Sequence, residues 1–178
     1  LERMVANDKH FKTRKPKVLI LAPTRELASQ IGESIEKYGK NLPFRHAVIF
    51  GGVKQKSQTN ILERGVDILV ATPGRLLDLI NQGYISLQDI RYFVLDEADR
   101  MLDMGFINDI KKILAKLPRN RQSLFFSATL PRNILELSQK ILIRPKKVEV
   151  NPNSSTVEKI QQYLYKTNKK SKGDLLLH

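Results

Sequence analysis

Short apolar runs alternate along the chain with longer stretches in which apolar residues recur every three or four positions. A continuous apolar run of four or five residues is typical of a strand that is buried on both faces. The spacing of Leu27, Ile31 and Ile35 predicts an amphipathic helix. The pattern predicts six strands, at 18–22, 47–50, 67–71, 92–95, 123–127 and 147–150. The predicted helices lie at 24–38, 54–64, 73–80, 107–116 and 131–142.

The regular alternation of strands and helices determines the predicted fold class. Strands joined by helical crossovers pair in parallel, and the right-handed crossovers place helices on the faces of the sheet. The sequence therefore predicts an α/β fold, with a parallel sheet and helices on both faces. We expect this domain to occupy residues 1–150, since a chain of 178 residues is long enough to bury a substantial core.

The composition changes near the carboxyl end of the chain. Residues 151–156 read N-P-N-S-S-T, a polar stretch that is typical of a linker. A segment that contains Tyr163 and Tyr165 is compatible with another strand, and the beginning of a helix is predicted within 169–178. We therefore expect residues 151–178 to form a linker and the beginning of a second domain.

The charge of the chain points to a polyanionic partner. The chain has 31 Lys and Arg against 18 Asp and Glu, a net charge of +13, and nucleic acid is the commonest partner of such proteins. Charge alone leaves open DNA, RNA, anionic lipid, or a basic surface without a dedicated partner. No apolar run approaches the roughly 18 residues that span a bilayer. The absence of cysteine excludes disulfides and fits a reducing compartment, so we expect a cytoplasmic protein that does not enter a membrane.

Three carboxylates follow the predicted strand at 92–95. They belong to Asp96, Glu97 and Asp99, and they lie at the edge of a parallel sheet where ligands bind. Adjacent carboxylates at such an edge suit a divalent cation and a water molecule that must lose a proton. The alternative is that Asp96 caps the next helix, while Glu97 and Asp99 favour its first turn.

Other predicted strands end in small, polar or basic residues at the same edge. Threonines before helices and arginine side chains match phosphate oxygens, and glycines let a backbone approach closely. Each signature also has a simpler explanation: Arg25 could pair with Glu26 or Glu33, and Ser127 and Thr129 could cap the helix at 131–142. Their joint placement at one edge favours a site for a sugar-phosphate backbone. The signatures are P-T-R-E-L-A at 23–28, G-G at 51–52, T-P-G-R at 72–75 and S-A-T at 127–129.

Together with D-E-A-D at 96–99, these signatures resemble the DEAD-box helicase family in both order and spacing. The segment R-M-L-D-M-G-F at 100–106 strengthens the resemblance, which covers residues 15 to 150. It implies the first of the two RecA-like domains of an ATP-dependent RNA helicase. The sequences of G-G-V at 51–53 and of the segment at 65–78 are most similar to those of bacterial RhlE-type members.

The resemblance also implies roles for individual residues. Asp96 would hold Mg²⁺, and Glu97 would polarise the water that attacks the γ-phosphate of ATP. Asp99 would join Ser127 and Thr129 in a polar network that links the nucleotide site to RNA and to the second RecA-like domain. The residues that would hold the RNA backbone are Pro23, Thr24, Arg25, Gly51, Gly52, Thr72, Gly74 and Arg75.

The phosphate-binding loop of the family, G-x-x-x-x-G-K-[ST], does not occur in this sequence. Gly39 and Lys40 are followed by Asn41, and Gly32 lies seven positions before Gly39 instead of five. In the family this loop precedes P-T-R-E-L-A, so we expect the chain to begin after it. We expect this chain alone to be inactive in ATP hydrolysis, and the alternative function is an RNA-binding module without turnover. A phosphohydrolase that uses Mg²⁺ with Asp96 and Glu97 alone is disfavoured, because no further ligand cluster accompanies them.

Overall fold

The computed structural model of the chain describes residues 15–150 and 163–176. Contacts divide the chain into two units, residues 1–144 and 145–178. This boundary precedes the predicted one, which lies after residue 150. The assignment of 151–178 as a linker and the beginning of another domain stays a prediction, and its proposed linker at 151–156 lies outside the described residues.

Five parallel strands form the sheet of the first unit, in the order β2-β3-β1-β4-β5. Each strand is only four residues long, and the central strand β1 lies between β3 and β4. The predicted α/β class is confirmed. The strands are β1 (Val18–Leu21), β2 (His46–Ile49), β3 (Ile68–Ala71), β4 (Tyr92–Leu95) and β5 (Gln122–Phe125).

Helices connect these strands, and the five predicted helices are confirmed to within two residues at each end. The first unit contains α1 (Arg25–Gly39), α2 (Gln55–Glu63), α3 (Pro73–Asn81), α4 (Ala98–Asp103), α5 (Ile107–Leu114) and α6 (Arg132–Ile141). The short helix α4 was not predicted as an element of its own. In the second unit, α7 (Lys172–Leu176) lies within the segment where the beginning of a helix was predicted. Within the described residues, every helix is too short or too polar to span a bilayer.

The sheet buries both of its faces, because consecutive strand residues point in opposite directions. One face packs against α1, and the alternate strand residues contact the remaining helices of the first unit. The α1 face contains Ile20, Val48 and Val70, which pack with Ala28, Ile31 and Ile35. The opposite face contains Leu19, Ile49, Leu69 and Phe93, which pack with Leu62, Leu76, Leu79, Ile110, Ile113, Ile134 and Leu137. The predicted placement of helices on both faces is confirmed.

Close packing of α1 on β2 depends on Gly32. A Cβ atom at this position would lie 2.5 Å from Cγ2 of Val48, well inside contact distance. Within a helix, alanine is more stabilising than glycine by about 1 kcal/mol. Overpacking of this kind, however, costs about 1–3 kcal/mol. We therefore expect Gly32→Ala to lower the free energy of unfolding by about 1 kcal/mol, measured by urea denaturation.

Gly39 provides the matched control at the carboxyl end of the same helix. A Cβ atom added there would meet nothing within 4 Å, so Gly39→Ala should leave the protein equally stable or slightly more stable. Equal stability of the two alanine variants would show that Gly32 does not limit the approach of α1 to the sheet.

Two predicted strands are wrong. Residues 147–150 are irregular, and the side chains of Val148 and Val150 are 87% and 85% exposed. A strand needs the backbone groups of a neighbouring strand, and residues 147–150 are assigned to no strand. Tyr163 and Tyr165 also lie in irregular chain, with exposed side chains.

Candidate functional site

The carboxyl ends of all five strands lie along one edge of the sheet, which we call the carboxyl rim. The strand register places Ile49, Ala71, Leu21, Leu95 and Phe125 in one row. Backbone hydrogen bonds extend the pairing by one residue beyond this row, as between the N–H of Asp96 and the carbonyl of Leu21 at 3.0 Å. The residues that follow each strand therefore leave the sheet side by side.

The order of the strands sorts the sequence signatures along the carboxyl rim. The G-G, T-P-G-R and P-T-R-E-L-A signatures follow β2, β3 and β1, and D-E-A-D and S-A-T follow β4 and β5. Neighbouring strands lie about 4.8 Å apart, so each signature is close to the next. The glycine, threonine and arginine signatures thus occupy one half of the rim, and the acidic signature and its serine and threonine partners occupy the other.

Asp96 is a half-buried carboxylate on the rim, directly after β4. Its Oδ1 accepts a hydrogen bond from the N–H of Glu97 at 3.0 Å. Burial raises the pKa of Asp96; the Glu97 N–H opposes this shift, and the negative charge of Glu97 adds to it. Among the described residues no lysine or arginine forms an ion pair with Asp96. A nearby cation would offset this uncompensated charge, so the donor chemistry fits a divalent ion.

The described residues contain no cluster of three or more side chains that could hold a metal ion by themselves. An ion at Asp96 would therefore take most of its ligands from water and phosphate. That kind of coordination is usual for Mg²⁺, which keeps several waters and binds through one or two carboxylates and substrate phosphates.

Glu97 has an unusual backbone conformation, with φ 47° and ψ 54°. The left-handed region costs a residue with a side chain about 1–2 kcal/mol, and such strain is concentrated at functional sites. Glu97 is the N-cap residue of α4, but no side chain caps that helix. The alternative role of Asp96 as a helix cap is therefore not seen. The Glu97 carboxylate is partly exposed and lies 3.3 Å from Nη1 of Arg100.

Asp99, Ser127 and Thr129 form one hydrogen-bonded network. Oδ2 of Asp99 accepts hydrogen bonds from the N–H and the Oγ1 of Thr129, at 2.9 and 2.8 Å. The N–H of Asp99 donates to Oγ of Ser127 at 3.3 Å, and that hydroxyl donates to the carbonyl of Thr129 at 2.7 Å. Burial raises the pKa of Asp99, but the hydrogen bonds from Thr129, Arg100 and Ser127 together outweigh it and lower the pKa.

These bonds tie the segment after β4 to the segment after β5. The simpler alternative, that Ser127 and Thr129 cap the helix after them, is not what the structure contains, because α6 has no side-chain cap. The role of the network in linking the two sites stays a prediction.

Thr24 and Thr72 precede α1 and α3. Oγ1 of Thr24 accepts a hydrogen bond from the N–H of Leu27 at 3.2 Å, so its hydroxyl caps α1. Thr72 is the N-cap residue of α3 without a side-chain capping bond, and Pro73 lies in the first turn of that helix. The exposed Arg25 pairs with Glu26 at 2.6 Å between Nε and Oε1, which is the local pairing considered as its alternative. A phosphate would have to compete with that carboxylate.

Arg75 contacts the segment around the glycine pair. Its Nη2 donates to the carbonyl of Val53 at 3.2 Å, its Nη1 donates to Oε1 of Gln58 at 3.4 Å, and its Nε lies 3.9 Å from Asp78. The side chain is only 14% exposed. The Arg75 side chain therefore joins the T-P-G-R signature to the segment that follows G-G.

Sequence reasoning assigned no role to Gln58 or Arg100. Arg100 lies within the R-M-L-D-M-G-F segment, but its contact with Glu97 requires the turn at the start of α4. The sequence contains one weak indication that Gln58 is a buried polar residue. It lies four positions before the buried Leu62, and so on the apolar stripe of α2.

A DEAD/DEAH box helicase family model matches residues 3–137. The chain belongs to the DEAD/DEAH box helicase family. It is 44% identical over 169 residues to the ATP-dependent RNA helicase RhlB of Xanthomonas axonopodis pv. citri, covering 93% of the chain and 30% of RhlB. It is 41% identical over 167 residues to the DEAD-box ATP-dependent RNA helicase CshA of Geobacillus kaustophilus, covering 94% of the chain and 36% of CshA.

A solved structure of the same family supports the RecA-like fold. The crystal structure of a DEAD box protein from the hyperthermophile Methanococcus jannaschii is similar with a TM-score of 0.69 and 45% identity, over 72% of this chain and 35% of that one. This member of the DEAD/DEAH box family thus spans about a third of the length of the relatives named here. Because these relatives carry the names RhlB and CshA, the RhlE-type assignment is not confirmed and stays a prediction.

Proposed function

We propose that this chain is part of an ATP-dependent RNA helicase that couples ATP hydrolysis to RNA binding and local duplex separation. The observation that carries the proposal is the order of signatures along the carboxyl rim. Groups suited to a polyanion backbone follow β2, β3 and β1, and the carboxylates suited to a metal follow the adjacent strand β4. Relatives that are 44% and 41% identical carry the name ATP-dependent RNA helicase, which supports the same function.

On the nucleotide side, Asp96 would hold Mg²⁺ through its half-buried carboxylate, and the ion when bound would neutralise charge on the phosphates of ATP. Glu97 would accept a hydrogen bond from the attacking water and take up its proton. The left-handed backbone of Glu97 at the start of α4 would set the direction from which this carboxylate acts. Because the sequence contains no G-x-x-x-x-G-K-[ST], we propose that a longer protein supplies the phosphate-binding loop and a second RecA-like domain.

On the RNA side, helix starts, glycines and arginines would contact phosphates and sugars. Such contacts position a strand without reading its bases, which suits an enzyme that acts on many sequences. The network of Asp99, Ser127 and Thr129 would transmit changes between the two halves of the rim. The RNA-binding residues are Pro23, Thr24, Arg25, Gly51, Gly52, Thr72, Gly74 and Arg75. We also expect the protein to act in the cytoplasm.

Replacing Arg25 tests the RNA side of this proposal. In the full-length protein, Arg25→Ala should weaken binding of single-stranded RNA several-fold, by the same factor for unrelated sequences, because a phosphate contact reads no base. The slope of log K against log salt should decrease by about 0.7, the value for one phosphate contact on a single strand. Fluorescence anisotropy with two unrelated RNAs at several salt concentrations measures both quantities.

Arg119→Ala is the control, because it removes the same charge from the loop before β5, at the opposite edge of the sheet. Its RNA affinity should match that of the unmodified protein. A selective loss for one sequence in Arg25→Ala, or an equal loss in both variants, would contradict the proposed contact.

An RNA-binding module without turnover is the second candidate function. The observation that favours it is the lack of a phosphate-binding loop sequence among the 178 residues. RNA affinity does not separate the two candidates, whereas ATP hydrolysis by the full-length protein does.

A further inference from the structure

Gln58 is a buried polar residue beneath the RNA side of the carboxyl rim. It lies on α2, outside every sequence signature, and it is only 5% exposed. Its Nε2 donates a hydrogen bond to the carbonyl of Phe50 at 2.9 Å, and its Oε1 accepts one from Nη1 of Arg75 at 3.4 Å. One amide group therefore joins the end of β2 to the arginine of T-P-G-R.

Arg75 binds the backbone on the other side of the glycine pair. Its Nη2 donates to the carbonyl of Val53, directly after Gly51 and Gly52, whereas Gln58 binds the carbonyl of Phe50 directly before them. The hydrogen-bonded pair of Gln58 and Arg75 thus holds the residues on both sides of the glycine turn.

The glycine turn has no side-chain packing of its own. A Cβ atom added at Gly51 or Gly52 would meet nothing within 4 Å, and Gly52 has φ +79°, which favours glycine. The hydrogen bonds to the flanking carbonyls therefore restrain the turn in place of side-chain packing. Without these hydrogen bonds, the turn would be more mobile in the free protein. It would then lose more conformational entropy on binding a ligand, which lowers affinity.

We infer that Gln58 is a positioning residue for RNA binding, which holds the Gly51–Gly52 turn and the Arg75 guanidinium in one geometry. This inference rests on the proposed function. A guanidinium carries five N–H donors, and Gln58 and Val53 each accept from one of them. Nε lies 3.9 Å from the Asp78 carboxylate, and the other two donors keep a fixed direction for phosphate oxygens, so less conformational freedom is lost on binding.

Gln58→Met tests the inference, since methionine has a similar length but neither donates nor accepts a strong hydrogen bond. In the full-length protein we expect RNA affinity to fall by about tenfold for two unrelated single-stranded RNAs. The affinity for ATP should be unchanged. In a double-mutant cycle, Gln58→Met should cost less RNA affinity in the Arg75→Ala background than in the unmodified protein, because part of the effect of Gln58 is exerted through that arginine.

A purely structural role for Gln58 would give a different result. Lower stability alone would make the losses in Gln58→Met and Arg75→Ala additive and would reduce ATP affinity as well. Gln58→Asn provides a second variant, since it keeps an amide in the buried position but shortens its reach by one methylene. It should weaken RNA binding in the same non-additive way.

Gln55→Met is the matched control on the same helix. The amide of Gln55 hydrogen bonds with Gln82 at 2.7 Å and is not a hydrogen-bond partner of Arg75, so RNA affinity should not change. If Arg25→Ala weakens RNA binding but Gln58→Met and Gln58→Asn do not, the inference fails and the proposed function stands. Additive losses would also overturn the inference. If the unmodified protein binds no RNA, both fail.

Discussion

In the full-length protein, Glu97→Gln should lower kcat for ATP hydrolysis by about 10²–10⁴-fold, the contribution typical of a general base. Glutamine keeps the size of the side chain but cannot take up a proton at neutral pH. Asp96, which would hold the metal, is untouched, so the affinity for ATP should stay close to that of the unmodified protein. Single-turnover hydrolysis and equilibrium nucleotide binding together measure the two expectations.

Glu136→Gln is a matched control for this experiment. Glu136 pairs with Arg132 on α6 at 3.2 Å, much as Glu97 pairs with Arg100 at 3.3 Å, but it lies outside the carboxyl rim signatures. Its turnover should be unchanged. Normal turnover in Glu97→Gln would remove Glu97 as the activating group, and a large loss of ATP affinity would instead assign it to nucleotide binding.

The 178-residue chain alone should hydrolyse ATP at least about 10³-fold more slowly than the full-length protein, even with saturating RNA. In related nucleotide hydrolases, one arginine supplied by a partner is worth about 10³–10⁵ in rate. The phosphate-binding loop, whose sequence does not occur in this chain, would orient the phosphates as well. Phosphate release measured for both proteins under the same conditions tests the expectation.

A further variant and a contradicting outcome complete that experiment. A version that contains the phosphate-binding loop but not the second RecA-like domain should bind ATP and still turn over slowly, which separates binding from catalysis. Turnover of about one per second by the 178-residue chain, which is within the range of ordinary phosphoryl-transfer enzymes, would show that the carboxyl rim is sufficient by itself.

The strands and the rim could be predicted because they depend on local pattern. Strand β4 ends at Leu95 because the apolar run meets Asp96, and the alternation of strands and helices then places every strand end on the same edge. Elements whose existence depends on a neighbour could not be predicted in this way. The segment 147–150 has the residue types of a strand, but it is irregular in the structure.

The site was predictable in its residue types and less so in its contacts. The pattern placed Arg75 at the rim, but its 14% exposure results from the approach of Gln58 and Val53, which belong to another part of the chain. The backbone strain at Glu97 likewise follows from the tight turn between β4 and α4. Contacts of this kind depend on tertiary packing, which periodicity does not encode.

The dependence of ATP hydrolysis on RNA tests the central claim most directly, since one rim is proposed to handle both ligands. In the full-length protein, single-stranded RNA of any sequence should stimulate steady-state hydrolysis, and Arg25→Ala should shift this stimulation to higher RNA concentration without lowering its plateau. Hydrolysis that is independent of RNA, or an unchanged midpoint in Arg25→Ala, would contradict the account.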